Sequence, residues 1–386
     1  MPESAPLIPF NRPHLTGREL AYIQQAAAAG QLAGNGRFTR RCQSWLEERL
    51  GAPRALLTHS CTAALEMSAL LIDLQPGDEV IMPSFTFVST ANAFVLRGAR
   101  PVFVDIRPDT LNLDERLVEA AITNRTKAIV VVHYAGVACD MDRLMETAAR
   151  RGIVIIEDAA HALLSRYKDR PLGSFGQLAT FSFHETKNVI SGEGGALVIN
   201  DARFAERAEI LWEKGTNRSK FFRGQVDKYT WVDVGSSFLP GELTAAFLWA
   251  QLEQAESITA KRLTIWNQYL EASSALVPFG LRMPIVPVDC THNAHLYYVL
   301  LPSQVNQAEV LRDLNARGVN AVFHYVPLHS SPAGQRYGHT AGSLDVTDDY
   351  SNRIVRLPLW VGLPHHAPRE VIDRVVEVMT SLAARA

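Results

Sequence analysis

The chain has 386 residues, 47% of them hydrophobic and 20% charged, a composition typical of globular proteins with a large core. The formal net charge of −2 includes no basic excess, which argues against nucleic acid or an anionic membrane as partner. The cysteines Cys42, Cys61, Cys139 and Cys290 form no close pair, so neither a metal site nor a disulfide framework is predicted. A signal-peptide pattern and a membrane-length apolar run are both missing from the sequence, which predicts a cytoplasmic protein.

The first half of the chain alternates between segments typical of helices and short apolar segments typical of strands. Continuously apolar strands separated by helices predict a mostly parallel sheet that is covered on both faces, in a doubly wound α/β domain. Ligands in such sheets bind beyond the carboxyl ends of the strands. The predicted helices are 62–74, 89–98, 114–122 and 140–152, and the predicted strands are 79–83, 101–106, 127–134, 153–158, 179–183 and 195–200.

The pattern changes near residue 240, where a long helical stretch begins. It is followed by a predicted strand at 294–302, a helix at 307–318, a strand at 319–328 and a C-terminal helix from 368. This order predicts a smaller α+β domain. We therefore expect a large α/β domain with an N-terminal arm over residues 1–250 and a small domain over 251–386, with a helix crossing the boundary.

Two stretches of the large domain contain candidate ligand-binding residues. In "IIEDAAH", Asp158 ends a strand, where an isolated acid is most often a turn or N-cap residue but can also face a ligand cation; His161 follows three residues later. In "THSCTAAL", Cys61 and Thr62 begin a helix, which indicates either an ordinary N-cap or a phosphate site. No GxxxxGK[ST] pattern occurs in the chain, so a P-loop nucleotide site is disfavoured.

The stretch "FSFHETKNVISGEGG" contains Lys187, with Ser182 five residues before it and a glycine-rich turn after it. A single lysine is usually solvated. A lysine after a strand, an anion site and an acid at a strand end are together typical of a pyridoxal phosphate (PLP) enzyme. In that chemistry the lysine binds the cofactor aldehyde, and the acid holds the pyridine nitrogen protonated. Phe87 of "PSFTFVST" is either a core residue or a flat surface for the cofactor ring.

The segments "SCTAALE", "PSFTFVSTANA", "EDAAH", "FSFHETKN" and "GEGG", in this order, resemble the nucleotide-sugar aminotransferases of PLP fold type I. The likeness extends from "IPFNRPHLTG" to near the C-terminus. It implies the aspartate-aminotransferase fold, PLP as cofactor, and a homodimer whose subunits share their active sites.

The resemblance also implies roles for individual residues. Lys187 would hold PLP covalently and act as the catalytic base, and Asp158 would pair with the ring nitrogen. Phe87 would stack on the ring, and His161 would lie near the ring oxygen. The phosphate-binding residues would be Ser182, Cys61 and Thr62, with Ser237 of "GSSF" at the position where relatives have a partner-subunit asparagine.

The sugar substrate is expected near "VFHYVPLH" and "KGTNRSKFFRGQ", which contain His324, His329 and Arg223. From the residues alone, each of these histidines is more often structural, and the basic run is as consistent with a solvated loop as with a pyrophosphate site. The resemblance implies transfer of the amino group of L-glutamate to C4 of dTDP-4-dehydro-6-deoxy-D-glucose. The products would be 2-oxoglutarate and dTDP-4-amino-4,6-dideoxy-D-galactose, for surface glycan synthesis.

Four alternatives are considered at this stage. One, an NADP-dependent Rossmann enzyme, is disfavoured because no GxGxxG pattern lies in a βαβ context. The enzyme could instead be a 3-aminotransferase or could form the gluco-configured 4-amino product. A PLP sugar dehydratase is disfavoured, because that branch has histidine in place of the lysine at position 187. A non-catalytic sensor with the same fold is the alternative from a different class, although Lys187, Asp158 and Ser182 are all present.

Overall fold

The computed structural model of the protein describes residues 8–385. These residues form fourteen α-helices and thirteen strands, and helices alternate with strands along the first half of the chain. The helices are α1 Glu19–Ala28, α2 Arg37–Leu50, α3 Cys61–Leu71, α4 Val88–Val95, α5 Glu115–Ala121, α6 Met141–Arg151, α7 Ala205–Trp212, α8 Arg218–Phe222, α9 Glu242–Leu252, α10 Ala255–Ala272, α11 Gln307–Ala316, α12 Pro332–Tyr337, α13 Asp345–Ser351 and α14 Ala367–Ala383.

The strands form one large sheet and two small ones. The large sheet has eight strands in the order β1-β9-β8-β5-β4-β2-β3-β12. In this order, the strands β8, β5, β4, β2, β3 and β12 each run parallel to the next one. Strand β9 runs antiparallel to both of its neighbours, β1 and β8. The strands are β1 Arg54–Thr58, β2 Glu79–Pro83, β3 Arg100–Val104, β4 Thr126–Val132, β5 Val154–Asp158, β6 Arg166–Tyr167, β7 Arg170–Pro171, β8 Leu178–Ser182, β9 Gly195–Ile199, β10 Cys290–Thr291, β11 Tyr297–Leu300, β12 His339–Thr340 and β13 Ile354–Leu357.

Alternate residues of the central strands pack into cores on opposite faces of the large sheet. In β4, Ile129 and Val131 belong to one buried apolar cluster, and Ala128 and Val130 belong to the other. A strand whose side chains are buried on both faces needs an unbroken apolar sequence, which explains the runs that predicted these strands. The predicted doubly wound, mostly parallel sheet is therefore confirmed.

The C-terminal half has an apolar core of its own, which extends from Ile265 in α10 to Met379 in α14. Strands β11 and β13 pair antiparallel within it. The two halves are also joined, because β12 is the parallel edge strand beside β3 of the large sheet. The boundary predicted at residue 250 falls inside α9 and stays a prediction.

The strand predicted over 319–328 is wrong. Among the described residues of this segment, two isolated bridges join Val319 to Ile8 and Val322 to Arg356, and no strand forms. Tyr325 has a φ of +28°, which is incompatible with an extended strand, and Pro327 has no N–H to donate. The segment instead forms an irregular wall of the main cavity. Among residues 8–385, no helix is both long and apolar enough to cross a membrane.

Candidate active site

A cavity of about 780 Å³ lies at the carboxyl ends of β5 and β8 and beside the N-terminus of α3. Its opposite wall is formed by residues 322–328 and by β13 of the C-terminal half. The cavity contains eight of the residues that the sequence analysis selected: Cys61, Thr62, Phe87, Asp158, His161, Ser182, Lys187 and His324. The topology thus brings residues as far apart as Cys61 and His324, which are separated by 263 positions (324 − 61) along the chain, around one space.

The N-terminus of α3 forms one end of this cavity. Ser60 is its N-cap, and the Ser60 Oγ accepts a hydrogen bond of 3.1 Å from the Ala63 N–H. The Thr62 hydroxyl lies 2.7 Å from that of Ser89, and Ser182 lines the same end from β8. Backbone N–H groups and hydroxyls at the positive end of a helix favour a phosphate.

Gly195 explains how α3 comes so close to the sheet. A Cβ atom at this position would lie 2.4 Å from the Cys61 nitrogen and 2.4 Å from the Ser60 carbonyl carbon. No other residue allows the backbone of β9 to approach the first turn of α3 this closely. The last glycine of "GEGG" therefore allows β9 to lie against the first turn of α3, at the end of the cavity that would hold a phosphate.

Asp158 is a buried carboxylate at the last position of β5. Its Oδ2 accepts a hydrogen bond of 2.8 Å from the Thr90 hydroxyl, and its Oδ1 accepts one of 3.2 Å from the Ala160 N–H. Burial raises the pKa of Asp158, although the Thr90 hydrogen bond and the charge of Lys187 act in the opposite direction. Burial disfavours the ionised form of a carboxylate, and a ligand cation beside it stabilises that form.

The neighbouring Glu157 is also buried, but its carboxylate binds protein groups and does not face the cavity. Its carboxylate accepts hydrogen bonds from the backbone N–H groups of Gly173, Phe175 and Gly176, at 2.6–2.7 Å. It also lies 2.9 Å from His133 Nε2. Because alternate side chains of β5 point to opposite faces, one acid of the "ED" pair organises a loop and the other faces the cavity.

Lys187 lies in the turn after β8, with its backbone N–H bonded to the His184 carbonyl at 2.9 Å. Burial lowers the pKa of its amine, and the Asp158 carboxylate partly opposes this shift. The next residue, Asn188, donates to the Asn293 carbonyl at 2.8 Å and contacts His295 Nδ1 at 3.1 Å. Lys187 is therefore held at the cavity by a buried polar network, and the lowered pKa favours the neutral, nucleophilic amine.

His161 stacks between the two walls of the cavity. Its ring centroid lies 4.0 Å from that of His295, and its Nε2 lies 3.3 Å from the Tyr325 hydroxyl. His324 contacts the Tyr134 hydroxyl at 2.8 Å through Nδ1. Burial lowers the pKa of His161, His295 and His324, and the nearby cationic groups lower it further. These rings are therefore neutral around the site.

Three selected residues lie outside this cavity. His329 contacts the Ser84 hydroxyl at 2.8 Å and lies 3.4 Å from Asp348. Arg223 follows α8 and pairs with Glu209 at 2.8 Å. Ser237 is exposed on a segment beside Glu213. Their substrate-binding and phosphate-binding roles stay predictions.

The sequence analysis missed several residues that line or support the cavity. Thr90, which holds Asp158, lies in the hydroxyl-rich stretch "FTFVST", and Asn188 directly follows the lysine. Arg356 could have been selected from the sequence, because it is the single charged residue in the otherwise apolar stretch "IVRLPLW". His295 and Tyr325 carried no local signal, since their roles depend on contacts with residues far along the chain.

These groups fit a ligand that carries a phosphate, a basic ring nitrogen and an aldehyde. The end of α3 fits the phosphate, the buried Asp158 fits a protonated ring nitrogen, and Lys187 is the amine that an aldehyde requires. Phe87 is 57% exposed in the chain and supplies an aromatic ring at the cavity. The residues present therefore match PLP.

Comparison with known proteins gives the same result. The family model described as the DegT/DnrJ/EryC1/StrS aminotransferase family matches residues 13–378. The chain belongs to this family. It is 32% identical over 383 residues to the spore coat polysaccharide biosynthesis protein SpsC of Bacillus subtilis, covering 96% of this chain and 97% of SpsC.

Solved structures of other aminotransferases resemble nearly the whole chain. The aminotransferase TlmJ from Streptoalloteichus hindustanus has a TM-score of 0.89 at 32% identity, covering 98% of this chain and 100% of TlmJ. Spr1654 from Streptococcus pneumoniae, solved in a PLP form, has a TM-score of 0.88 at 27% identity, covering 97% and 99%. The expected PLP fold type I, the aminotransferase class and the PLP cofactor are thereby confirmed.

In this DegT-family enzyme, Lys187, Asp158 and the first turn of α3 are the residues that would hold PLP. When bound, PLP supplies an aldehyde that takes up the amino group and a ring that accepts the electrons released at the reacting carbon. Asp158 would keep a positive charge on the ring nitrogen, and the rings of His161, His295 and His324, whose pKa values are lowered by burial, would surround the cofactor without adding charge.

Proposed function

We propose that the protein transfers the amino group of L-glutamate to C4 of dTDP-4-dehydro-6-deoxy-D-glucose, yielding 2-oxoglutarate and dTDP-4-amino-4,6-dideoxy-D-galactose for surface glycan synthesis. The observation that carries the proposal is the presence of Lys187 and Asp158 together in one cavity of about 780 Å³. Cavities that bind ligands of this kind have volumes of roughly 300–1,000 Å³. SpsC, which is related over the full chain, is named for spore coat polysaccharide biosynthesis, and this supports a sugar substrate in a glycan pathway.

The residues of the chain have defined tasks in this reaction. The Lys187 amine removes the proton from the α-carbon of the donor and later delivers a proton to C4 of the acceptor, which makes it general base and then general acid. The lowered pKa of Lys187 suits both tasks near neutral pH. The face of the sugar that meets Lys187 sets the configuration of the new C–N bond, and the galacto product requires one face alone.

The sugar nucleotide is proposed to lie toward the wall that contains His324. His324 lines the wall formed by residues 322–328, where two exposed apolar side chains, Phe323 and Val326, also lie. His329 would support this wall through Ser84, and Arg223 would contact the pyrophosphate. Because Arg223 is paired with Glu209 outside the cavity, its role requires that the bound nucleotide or a second subunit reach it.

We also propose a homodimer in which Ser237 serves the phosphate site of the partner subunit. Residues 222–237, which include Ser237, contain several exposed apolar side chains. They include Phe222, Val234 and Trp231, and Trp231 is 78% exposed. Apolar surface of this kind is typical of an interface between proteins. Light scattering at micromolar concentration should give twice the chain mass, and Ser237→Ala should weaken PLP binding without changing that mass.

The test of the reaction uses purified protein with L-glutamate and a panel of keto-sugar nucleotides. Proton coupling constants at the aminated carbon identify both its position and its configuration. A 3-amino product, or a 4-amino product of gluco configuration, would replace the proposed substrate with the corresponding alternative. A protein that binds PLP but forms no amino sugar and no 2-oxoglutarate would instead be a sensor.

Lys187→Ala should abolish turnover, with a loss of at least about 10⁴-fold, because both the covalent attachment and the proton transfer depend on this amine. Lys168→Ala is the matched control, since Lys168 is exposed and pairs with Asp142. The cofactor absorbance of the wild-type protein should change on addition of glutamate, whereas that of Lys187→Ala should show no catalytic change. Retained turnover in Lys187→Ala would refute the assignment.

A further inference from the structure

A second cavity, which we call the arginine pocket, has a volume of about 280 Å³ and lies between α2, the start of β1 and α8. Three arginines line it, Arg40, Arg54 and Arg223, together with the amide of Gln43. None of its described lining residues is a carboxylate. A concave site that is lined by cations and amide donors, with no acid among them, favours an anionic ligand.

The arginine pocket and the active site lie at opposite edges of the large sheet. Arg54 is the first residue of β1, and the strand register aligns it through Ile199 of β9 with Leu178 at the start of β8. Ser182, four residues further along β8, lines the active-site cavity. A strand rises about 3.3 Å per residue, so these two positions are about 13 Å apart along the sheet. The described linings of the two cavities also have no residue in common.

Gln43 contributes a buried donor that has no partner to the arginine pocket. The residue is only 2% exposed, and its Nε2 has no hydrogen-bond partner among the described residues. A buried amide nitrogen that is left without an acceptor is costly and rare in native proteins. An acceptor atom of a ligand in the pocket would satisfy it.

Arg54 has a second unsatisfied donor at the same pocket. Its Nη1 and Nη2 lie 3.3 and 3.0 Å from the carboxylates of Glu47 and Glu209, but its Nε is buried and has no partner among residues 8–385. Glu209 is shared with Arg223, whose Nη1 lies 2.8 Å from it. Both unsatisfied atoms, Arg54 Nε and Gln43 Nε2, are donors, so a ligand that satisfies them must present acceptors.

Arg40 adds a cation without an acidic partner. Its Nη1 donates to the Asn35 carbonyl at 2.7 Å, and no carboxylate of residues 8–385 lies within ion-pair distance of it. Arg37 and Arg41 of the same helix also lack such a partner in this part of the chain, and the first turn of α2 contains no acidic residue. Like charges three or four residues apart repel, and the N-terminal end of a helix is itself positive. An anion at this end of α2 would relieve that repulsion.

A groove of about 540 Å³ adjoins the arginine pocket and shares Arg40 and Ser44 with it. The indole rings of Trp45 on α2 and Trp249 on α9 also line this groove. Trp249 Nε1 is a further buried donor without a partner among the described residues. Aromatic side chains beside a cationic pocket suit a ligand that carries a planar base next to its phosphates.

We propose that the arginine pocket binds a phosphate group, of inorganic pyrophosphate or of a nucleotide, at a site separate from the active site. Phosphate oxygens are strong acceptors, and guanidinium groups bind them with bidentate geometry. A phosphate ester carries a charge of about −1.5 to −2 at neutral pH, which suits a site with several cations better than a single carboxylate does. The phosphate would accept hydrogen bonds from Gln43 Nε2, Arg54 Nε and Arg40. This binding does not depend on the sugar substrate proposed above.

Calorimetry on the PLP-loaded enzyme tests the site with sodium pyrophosphate, at an ionic strength kept constant with sodium chloride. The wild type should bind about one equivalent per chain, and Arg40→Gln should weaken this binding about tenfold or more, because a charge-assisted contact is lost. Arg336→Gln, which alters an exposed arginine of α12, is the matched control and should bind as the wild type does. Absence of saturable binding at millimolar pyrophosphate would overturn the proposal.

Gln43→Leu tests the buried donor by thermal unfolding. Without ligand, the variant should be as stable as the wild type or more stable, because an unsatisfied amide is replaced by an apolar side chain. Pyrophosphate should raise the unfolding midpoint of the wild type, since it binds the folded state, and should raise that of Gln43→Leu less. An equal rise in both proteins, together with unchanged pyrophosphate binding in Arg40→Gln, would place the anion elsewhere and refute the site.

Comparison of pyrophosphate with dTDP identifies the source of the phosphate group. Tighter binding of dTDP at the Arg40-dependent site, weakened by Trp249→Phe, would assign a nucleotide, whereas equal binding would assign the free anion. If pyrophosphate does not bind and Arg40→Gln halves the mass measured by light scattering, the arginines pair with a second subunit and the proposal fails. None of these measurements uses turnover, so their outcome and that of the sugar reaction are independent.

Discussion

The two walls of the active-site cavity are built from different kinds of structure. One wall, which we call the sheet wall, consists of the ends of β5 and β8 and the first turn of α3 and carries Asp158, Ser182 and Thr62. The other, the C-terminal wall, consists of the irregular segment 322–328 together with Arg356 of β13. The sheet wall was predicted in detail from the sequence, whereas the strand predicted for the C-terminal wall did not form.

The difference follows from how each wall holds its side chains. Regular elements place residues at known intervals, so a polar residue at the end of an apolar strand can be assigned to the ligand edge of the sheet. In the C-terminal wall, Tyr325 has a positive φ and reaches His161, which lies 164 positions earlier in the chain. Contacts of that range have no periodic signature in the sequence.

If the catalytic groups lie in the sheet wall, Asp158→Asn should lower catalysis more than the substitution in the C-terminal wall described below. The amide keeps the shape of the side chain but cannot stabilise a positive ring nitrogen, so kcat should fall by roughly 10²–10³-fold. Single-turnover kinetics with L-glutamate would measure this loss. Asp142→Asn, on the exposed surface of α6, is the control. A loss below tenfold would mean that Asp158 is structural.

The buried histidines between the walls predict how stability depends on pH. His161, His295 and His324 have lowered pKa values in the folded protein, so they stay neutral there but take up protons in the unfolded chain below about pH 6.5. The unfolded state then binds more protons, and stability is lost as the pH falls below that value. Each such histidine contributes a slope of up to about 1.4 kcal/mol per pH unit.

Urea unfolding between pH 5 and 7.5 in saturating PLP would measure this slope. His295→Gln keeps a donor for Asn188. It should reduce the slope of stability against pH by the contribution of one histidine, up to about 1.4 kcal/mol per pH unit. An unchanged slope would show that His295 is protonated in both states. His365→Gln, at a position before α14 that lies outside the cavity, serves as the matched control.

Tyr325→Phe tests the C-terminal wall and should have the smallest effect. The change removes the hydroxyl that lies 3.3 Å from His161 Nε2 but keeps the ring. Loss of one neutral hydrogen bond is worth about 1 kcal/mol, so kcat/KM should fall about fivefold. If Tyr325→Phe lowers the rate more than Asp158→Asn, the C-terminal wall takes part in the chemistry and the ranking of the two walls is reversed.

Much of the architecture was determined by the sequence alone. Apolar strands such as β4 and β5, and helices between them, could be read from periodicity, because a buried parallel strand requires an unbroken apolar run. The same logic placed Asp158 and Lys187 at the ligand edge. It also selected the start of α3 as a candidate phosphate site, whereas the close approach of Gly195 to this turn became visible only in three dimensions.

The tertiary structure decided which of several equivalent residues face the ligand. It assigned Asp158 to the cavity and Glu157 to the loop at 173–176, and it left His329 outside while bringing in His295 and Arg356. Sequence patterns report how a residue relates to its neighbours along the chain. The cavity depends on the packing of the C-terminal half against the sheet, through contacts between residues that lie more than 100 positions apart.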